Sequence, residues 1–417
     1  MTDYSKLSRK ITWVLFANQS LASAGFIAAA TINSIIGAKL GGGASWAGVP
    51  SAVYLLGAAF AASAWGYLME RIGRRNGIVS GLVIGVAGNA LVVYAIFTSS
   101  FLLFLAGMIL MGITNAVVTL GRFAAAEVNP PEMRGAAISN VVLGGTFGAV
   151  VGPLLVGPVG NFVKTLGVDE LAGAYLATLV LFAISSVVVF VGLRPDPRDL
   201  GSQVAAQYPS SALDGEARGI FEIFRQPAAL TAVIAMALGQ VVMVAIMVIT
   251  SLHMSDHQHN LGDISKVISS HTVGMFAFSV VSGRLADKWG RGRVILIGAS
   301  TLLLACIIAP LSPDVFPLAV SLFLLGLGWN FCFVGGSALL SDQLSPLERS
   351  RTQGVNDLLV GLASAMGSLG SGIIFAASNY ALITLIAGLL ALIPLGMTIF
   401  WMRSKAQPQL DGSKYPV

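Results

Sequence analysis

Long apolar segments recur along the whole of this 417-residue chain. A helix needs about 20 predominantly apolar residues to cross the hydrocarbon core of a bilayer. Twelve such segments are predicted at 11–37, 46–68, 77–98, 101–125, 136–160, 171–193, 228–252, 264–286, 294–312, 315–340, 353–378 and 380–402. Hydrophobic residues make up 55% of the chain and charged residues only 10%, a balance incompatible with a water-soluble globule of this size. The sequence therefore predicts an all-α polytopic membrane protein.

The basic residues predict how these helices are oriented. If both termini lie in the cytoplasm, only Lys39, Lys164 and Lys266 of the 24 Lys and Arg residues fall on the outer side. This distribution follows the positive-inside rule of membrane proteins. We therefore expect a multi-pass protein with both termini cytoplasmic. The net charge of +5 then reflects cytoplasmic loops and does not indicate a nucleic-acid partner.

Two pairs of similar loops indicate that the chain is an internal repeat. The stretch from Gly66 reads GYLMERIGRR, and the stretch from Gly283, 217 positions later, reads GRLADKWGRGR. An offset of 215 aligns a second pair of loops, matching Pro131 with Pro346 and Arg134 with Arg349. We predict an N-terminal six-helix bundle over 1–193, a cytoplasmic linker over 194–219 and a C-terminal six-helix bundle over 220–417.

The first of these loops resembles the loop motif of the major facilitator superfamily, G-x-L-a-D-r-x-G-r-k, and its second copy matches almost as well. The resemblance covers the whole chain. It implies two bundles that rock about a midplane site, with charged loop residues that latch the cytoplasmic side in one state. The residues that it assigns to conformational gating are Gly66, Glu70, Arg71, Arg74, Gly283, Asp287, Lys288 and Arg291.

The seventh and eighth predicted helices carry soft metal ligands at helical spacing. Met243 and Met247 are four residues apart, as are His271 and Met275, so each pair lies on one helical face. Counted from the outer helix ends, all four side chains lie roughly 8–16 Å deep at 1.5 Å per residue. We therefore expect them to converge on a single ion.

Three thioethers and one imidazole favour Cu(I), because harder ions call for carboxylates or more nitrogen ligands. Asp357 is the only acid within the predicted helices away from their cytoplasmic mouths. A lone Met pair is more often packing than a site. However, residues 236–275 contain five of the thirteen methionines, and all four histidines lie within 253–271. The combination favours a metal site.

The outer connection between these two helices is rich in further metal ligands, namely His253, Met254, His257 and His259. These side chains could collect copper outside the membrane and pass it inward. The alternative is a loop whose imidazoles are solvated or cap the eighth helix.

The M-x-x-x-M and H-x-x-x-M pairs resemble the signature pairs of the CcoA-like copper importers, a branch of the major facilitator superfamily. The resemblance implies that Met243, Met247, His271 and Met275 bind the metal. It also implies copper supply for cytochrome c oxidase assembly in the bacterial cytoplasmic membrane. We expect a monomer without a cofactor, with the bilayer, the copper ion and periplasmic or cytoplasmic copper carriers as partners.

Other transport functions stay open. Relatives in the same branch import riboflavin, and aromatic or polar contacts for such a substrate could come from Trp13, Trp65, Trp329, Asn330 and Phe331. A proton-coupled drug exporter usually calls for a buried acid in the N-terminal helices, which offer only amides. The sequence shows no arrangement of a nucleophile and a base that would indicate an enzyme.

Two further features predict packing rather than chemistry. Cys306 and Cys332 fall inside predicted helices, where free buried thiols are more plausible than a disulfide. Gly144, Gly148 and Gly152 are spaced along the fifth helix as a small-residue face for close helix contact.

Overall fold

The computed structural model describes residues 4–130, 133–207 and 218–406, and these residues form helices and connecting turns with no strand. The helices are α1 (Tyr4–Gly41), α2 (Val49–Ile72), α3 (Arg74–Phe97), α4 (Phe101–Glu127), α5 (Arg134–Thr165), α6 (Ala172–Gly192), α7 (Pro197–Gln207), α8 (Ile220–Arg225), α9 (Pro227–Asp256), α10 (Leu261–Phe276), α11 (Ser279–Trp289), α12 (Arg291–Ile308), α13 (Val315–Ser341), α14 (Pro346–Ala377) and α15 (Tyr380–Ala406). A short 3-10 helix (Ala44–Trp46) precedes α2.

Twelve stretches of the described chain are long and apolar enough to cross a membrane, which confirms the predicted all-α polytopic fold. Eleven of them consist of one long helix each, apart from a short 3-10 turn at the start of the second. The eighth, Leu261–Trp289, is divided into α10 and α11 by a turn at Ala277 and Phe278. The predicted eighth segment, 264–286, therefore lies within one span, but this turn interrupts its helix.

The first six spans pack into one bundle and the last six into another. In the N-terminal bundle, α1 lies against α5 and α6, and α3 lies against α4 and α6. In the C-terminal bundle, α13 lies against α9, α10 and α12. The predicted glycine face of α5 is confirmed, since a Cβ at Gly148 would lie only 2.0 Å from the Ser20 carbonyl oxygen of α1.

The two bundles meet at the end where α1 ends and α2 begins. There α5 packs against α10, α2 against α14, and α1 against α9. A Cβ at Gly48 would lie 1.7 Å from the Ser368 carbonyl oxygen, and Ser368 Oγ donates to the Gly48 carbonyl at 2.7 Å. Only glycine permits this approach. At the opposite end, Arg74 donates to Glu127 within the N-terminal bundle and Arg291 donates to Asp342 within the C-terminal bundle. Arg198 and Arg218 of the linker donate to the Glu70 carbonyl and the Glu348 carboxylate.

The internal repeat recurs in the geometry of the loops. Gly73 and Gly290 have φ values of +90° and +89°, so both loops turn through the left-handed region that favours glycine. Arg74 Nε donates to Glu127 at 3.0 Å, and the corresponding Arg291 Nε donates to Asp342 at 3.1 Å. Each loop is thus anchored to the end of the fourth helix of its own bundle.

The linker region contributes structure to both bundles. Its helix α7 packs on α3 and α4, and Asp196 accepts hydrogen bonds from the backbone N–H groups of Arg74 and Arg75 at 3.1 and 3.0 Å. At the other end, Arg218 donates to the Glu348 carboxylate at 2.8 Å and holds the pKa of that carboxyl well below its usual range. Residues 208–217, and Pro131 of the predicted repeat, lie outside the described residues.

Candidate functional site

His271 is fully buried where α10 packs on α13. The two helices come close because Gly326 has no side chain, and a Cβ there would lie 2.3 Å from the His271 carbonyl oxygen. His271 Nδ1 lies 2.9 Å from the Leu322 carbonyl oxygen, which can only accept a hydrogen bond. The proton of a neutral imidazole therefore sits on Nδ1 and the lone pair on Nε2. Nε2 is buried, with no hydrogen-bond partner among the described residues.

Met275 lies one turn from His271, at the point where the eighth span is interrupted. The interruption begins at Ala277 and leaves the end of α10 in need of donors. Asn330 of α13 supplies one, because its Nδ2 donates to the Met275 carbonyl oxygen at 2.6 Å and to Ser279 Oγ at 2.8 Å. Asn330 thus braces the interrupted helix beside Met275, a role that the sequence prediction missed.

Met243 and Met247 lie in the middle of α9 and belong to the same apolar core as Met275. Met243 is 4% exposed and Met247 is half-buried. However, α9 packs mainly on α13, α14 and α15, whereas α10 packs mainly on α13 and α5. The two helices of the predicted site are therefore not packed lengthwise on each other, as their sequence order suggested; α13 is their shared neighbour. Convergence of the four ligands stays a prediction.

The other soft or charged groups of the described chain do not form a competing metal centre. No group of three His, Cys, Asp or Glu side chains lies close enough to hold an ion in residues 4–130, 133–207 and 218–406. Cys306 and Cys332 are free and buried, as predicted.

The predicted outer ligands divide into two groups. His257 is exposed and His253 and His259 are half-buried at the end of α9 and in the following turn. Met254 is completely buried in the apolar core. Its side chain therefore points away from the surface that the three histidines share, which does not fit an outer collecting role.

The predicted gating residues make their described contacts inside their own bundles or with the linker, whose Arg198 donates to the carbonyl oxygens of Glu70 and Arg71. Arg71 donates to the Tyr67 hydroxyl, and Asp287 pairs with Arg291 four residues later. The Glu70 and Lys288 side chains are exposed. Gly66 and Gly283 face open space, since a Cβ at either would meet nothing within 4 Å. A latch between the bundles is not formed in this conformation, in which the bundles touch at the other end.

A central cavity of about 270 Å³ adjoins the eighth span and contains a charge that the sequence analysis overlooked. It is lined by α1, α2, α4, α5 and Phe276, and its polar groups include Gln19, Asn115 and Arg122. The Arg122 Nε is buried without a described hydrogen-bond partner. Asp357 on α14 interacts electrostatically with Arg122 from the other bundle. A lone arginine inside the apolar fourth segment was the available signal.

The aromatic residues proposed for a small-molecule substrate do not gather around this cavity. Trp65 Nε1 donates to the Gly77 carbonyl at 3.0 Å, and Trp329 Nε1 donates to Gln240 at 2.6 Å. Phe331 packs in a separate buried cluster. Trp13 lines a different cavity of about 690 Å³ between α1, α5 and α7, which contains none of the predicted metal ligands.

Comparison with known families gives two overlapping matches to one family profile. The profile described as Major Facilitator Superfamily matches residues 15–262 and 228–415. The chain belongs to the major facilitator superfamily. It is thus a membrane transporter and not an enzyme, and the predicted superfamily is confirmed.

Within the superfamily, the chain is similar to carriers of different or unassigned substrates. It is 35% identical to the uncharacterized MFS-type transporter YdeG of Bacillus subtilis (strain 168), over 96% of this chain and 93% of that protein. It is 29% identical to the riboflavin transporter RfnT of Brucella anthropi, over 91% and 92%. The solved D-xylose-proton symporter has a TM-score of 0.72 at 17% identity, covering 93% and 96%, which shows a shared fold alone.

Proposed function

We propose that this major facilitator imports copper across the bacterial cytoplasmic membrane by alternating access. The observation that supports it most directly is His271, whose lone pair on Nε2 is buried and has no described protein partner. A buried imidazole nitrogen without a partner is costly unless a ligand completes it. A backbone carbonyl that fixes the opposite nitrogen is the usual support of a metal-binding histidine.

The side chains that accompany His271 favour Cu(I) as the ion. Met275 lies one turn along the same helix, and Met243 and Met247 lie at similar depth on α9. Thioether sulfur and imidazole suit Cu(I), whereas Mg²⁺ or Mn²⁺ would need oxygen ligands. Neutral ligands also release their ion easily, which a carrier requires.

The direction and destination of transport rest on other arguments. The distribution of Lys and Arg favours cytoplasmic termini, so that the end at which the bundles touch faces the periplasm. The conformation then opens toward the cytoplasm. The resemblance to CcoA-like importers supports delivery of copper for cytochrome c oxidase assembly, as does the matching pair of Met and His motifs.

A second candidate is import of riboflavin or another small organic molecule. The similarity to RfnT over nearly the whole chain and the half-buried Arg122 in the central cavity favour it. However, this candidate leaves the predicted aromatic contacts unused, since Trp65, Trp329 and Phe331 do not line this cavity. It also leaves His271 and the Met pairs without a function. Copper therefore explains more of the molecule.

The test replaces sulfur while conserving side-chain volume. Met243→Leu, Met247→Leu and Met275→Leu should each lower radioactive copper accumulation by at least about tenfold, because leucine packs like methionine but cannot bind the ion. The matched control is Met254→Leu, a fully buried methionine on α9 that lies outside the proposed site. Membrane abundance is measured for every variant. Normal copper uptake by all three site variants would contradict the proposal.

A further inference from the structure

At the outer end of α9, His253 lies in the last turn and His257 is the first residue after the helix. We propose that this pair forms a separate Cu(I)-capture site at the outer mouth of the carrier. The inference rests on the proposed function, in that copper is the cargo. Two histidines spaced by four residues at a helix end can place both rings side by side, as in the paired-histidine motifs that bind metals.

The geometry of the pair leaves nitrogen lone pairs available. The two ring centroids are 4.3 Å apart with an interplanar angle of 61°. His257 Nδ1 lies 2.8 Å from the His253 carbonyl oxygen and therefore donates to it. The lone pair of a neutral His257 is then on Nε2, which faces away from this bond. Neither ring nitrogen of His253 forms a hydrogen bond with any described residue.

The His253 ring is held in place by aromatic neighbours from two other helices. It stacks on Tyr380 of α15 at 4.3 Å with an interplanar angle of 8°, and Phe375 of α14 meets it edge-on at 6.3 Å. Tyr380 is itself buried and shares a 2.7 Å hydrogen bond with Thr250. His253 is thus a fixed ligand, and the exposed His257 is the one that can move toward an arriving ion.

The surroundings limit the site to two imidazoles. His259 Nε2 lies 3.0 Å from the Pro313 carbonyl oxygen, which ties this ring to another loop, and Met254 is buried. No third His, Cys, Asp or Glu joins the pair in the part of the chain that the structure describes. Zn²⁺ in proteins normally takes a tetrahedral ligand set. Cu(I) accepts coordination by two neutral nitrogens, and a near-linear arrangement requires the exposed His257 ring to move outward from its 4.3 Å contact with His253.

Such a pair suits capture better than storage. Both ligands are neutral, the site is open to solvent at His257, and α9 leads from it directly to Met247 and Met243. A weakly held ion at the helix end can therefore be passed along the same helix to the proposed intramembrane site. The capture site should raise uptake when copper is scarce and lose its effect when copper saturates the inner site.

The experiment is an anaerobic Cu(I) titration of the purified full-length protein against a chromophoric Cu(I) chelator. The wild type should bind two ions, His253→Ala/His257→Ala one, and the control His259→Ala two. His257→Met should keep the second ion, because a thioether replaces the imidazole. A second ion retained by the double alanine variant would overturn the capture site. A titration with Zn²⁺ that reveals equal affinity would overturn its assignment to Cu(I).

The same titration separates this inference from the proposed function. If the intramembrane site does not bind copper, the wild type should bind one ion and the double alanine variant none. If the capture site does not exist, both proteins should bind one ion. In cells, the double variant should take up copper about tenfold more slowly than the wild type when copper is scarce. At saturating copper its uptake should be normal. An equal reduction at both concentrations would contradict a capture role.

Discussion

At the scale of single residues, spacing predicts the candidate ligands, but the surroundings of these side chains were not predictable. The four-residue separations on two apolar helices identified Met243, Met247, His271 and Met275. The Leu322 carbonyl that fixes the His271 tautomer is 51 residues away, and local sequence carries no signal for such a contact. The burial of Met254 was equally unpredictable, because its position in sequence beside three histidines suggested that it lies at the surface.

The role of the His271 imidazole can be separated from its hydrogen bond. His271→Asn keeps a donor for the Leu322 carbonyl at the position of Nδ1 but lacks the nitrogen lone pair of Nε2, so we expect normal membrane abundance and about tenfold weaker copper uptake. Ser270→Ala is the control, since it removes a neighbouring 2.8 Å bond from α10 to the Ala319 carbonyl of α13. If both variants lost uptake equally, helix packing rather than metal binding would explain His271.

At the scale of helices, the interruption between α10 and α11 is the main departure from prediction. The interruption was not predictable from residues 264–286, because this segment contains no proline. The interruption is stabilised from outside, by Asn330 on α13, whose amide satisfies the Met275 carbonyl. Discontinuous membrane helices recur where backbone groups are needed near a substrate. Here the discontinuity follows directly after a proposed ligand.

Asn330 should therefore affect copper binding more than stability. Asn330→Ala removes the brace beside Met275, and we expect about tenfold weaker apparent copper affinity but only about 1 kcal/mol lower stability. Asn89→Ala is the matched control, because Asn89 is also buried but donates within its own helix, to the Gly85 carbonyl at 2.7 Å. Thermal unfolding in detergent and copper titration measure the two quantities. Unchanged copper affinity in Asn330→Ala would exclude the bracing role.

At the scale of the whole molecule, periodic features were predictable and relative placement was not. Apolar segment length predicted the spans, and the loops at Gly66 and Gly283 predicted the repeat. The end at which the bundles touch depends on close approaches such as Gly48 to Ser368, 320 residues apart in sequence. The placement of α9 and α10 was not predictable either, because these consecutive helices pack mainly on their shared neighbour α13 and only slightly on each other.

The central claim is that a superfamily member with riboflavin-transporting relatives carries copper instead. Its most direct test is paired uptake of radioactive copper and radioactive riboflavin in one strain that lacks its own carriers for both and expresses this chain. If the chain imports copper as proposed, copper accumulation should be well above the empty-vector level and riboflavin accumulation should equal that level. Riboflavin accumulation without copper accumulation would contradict the proposed copper transport.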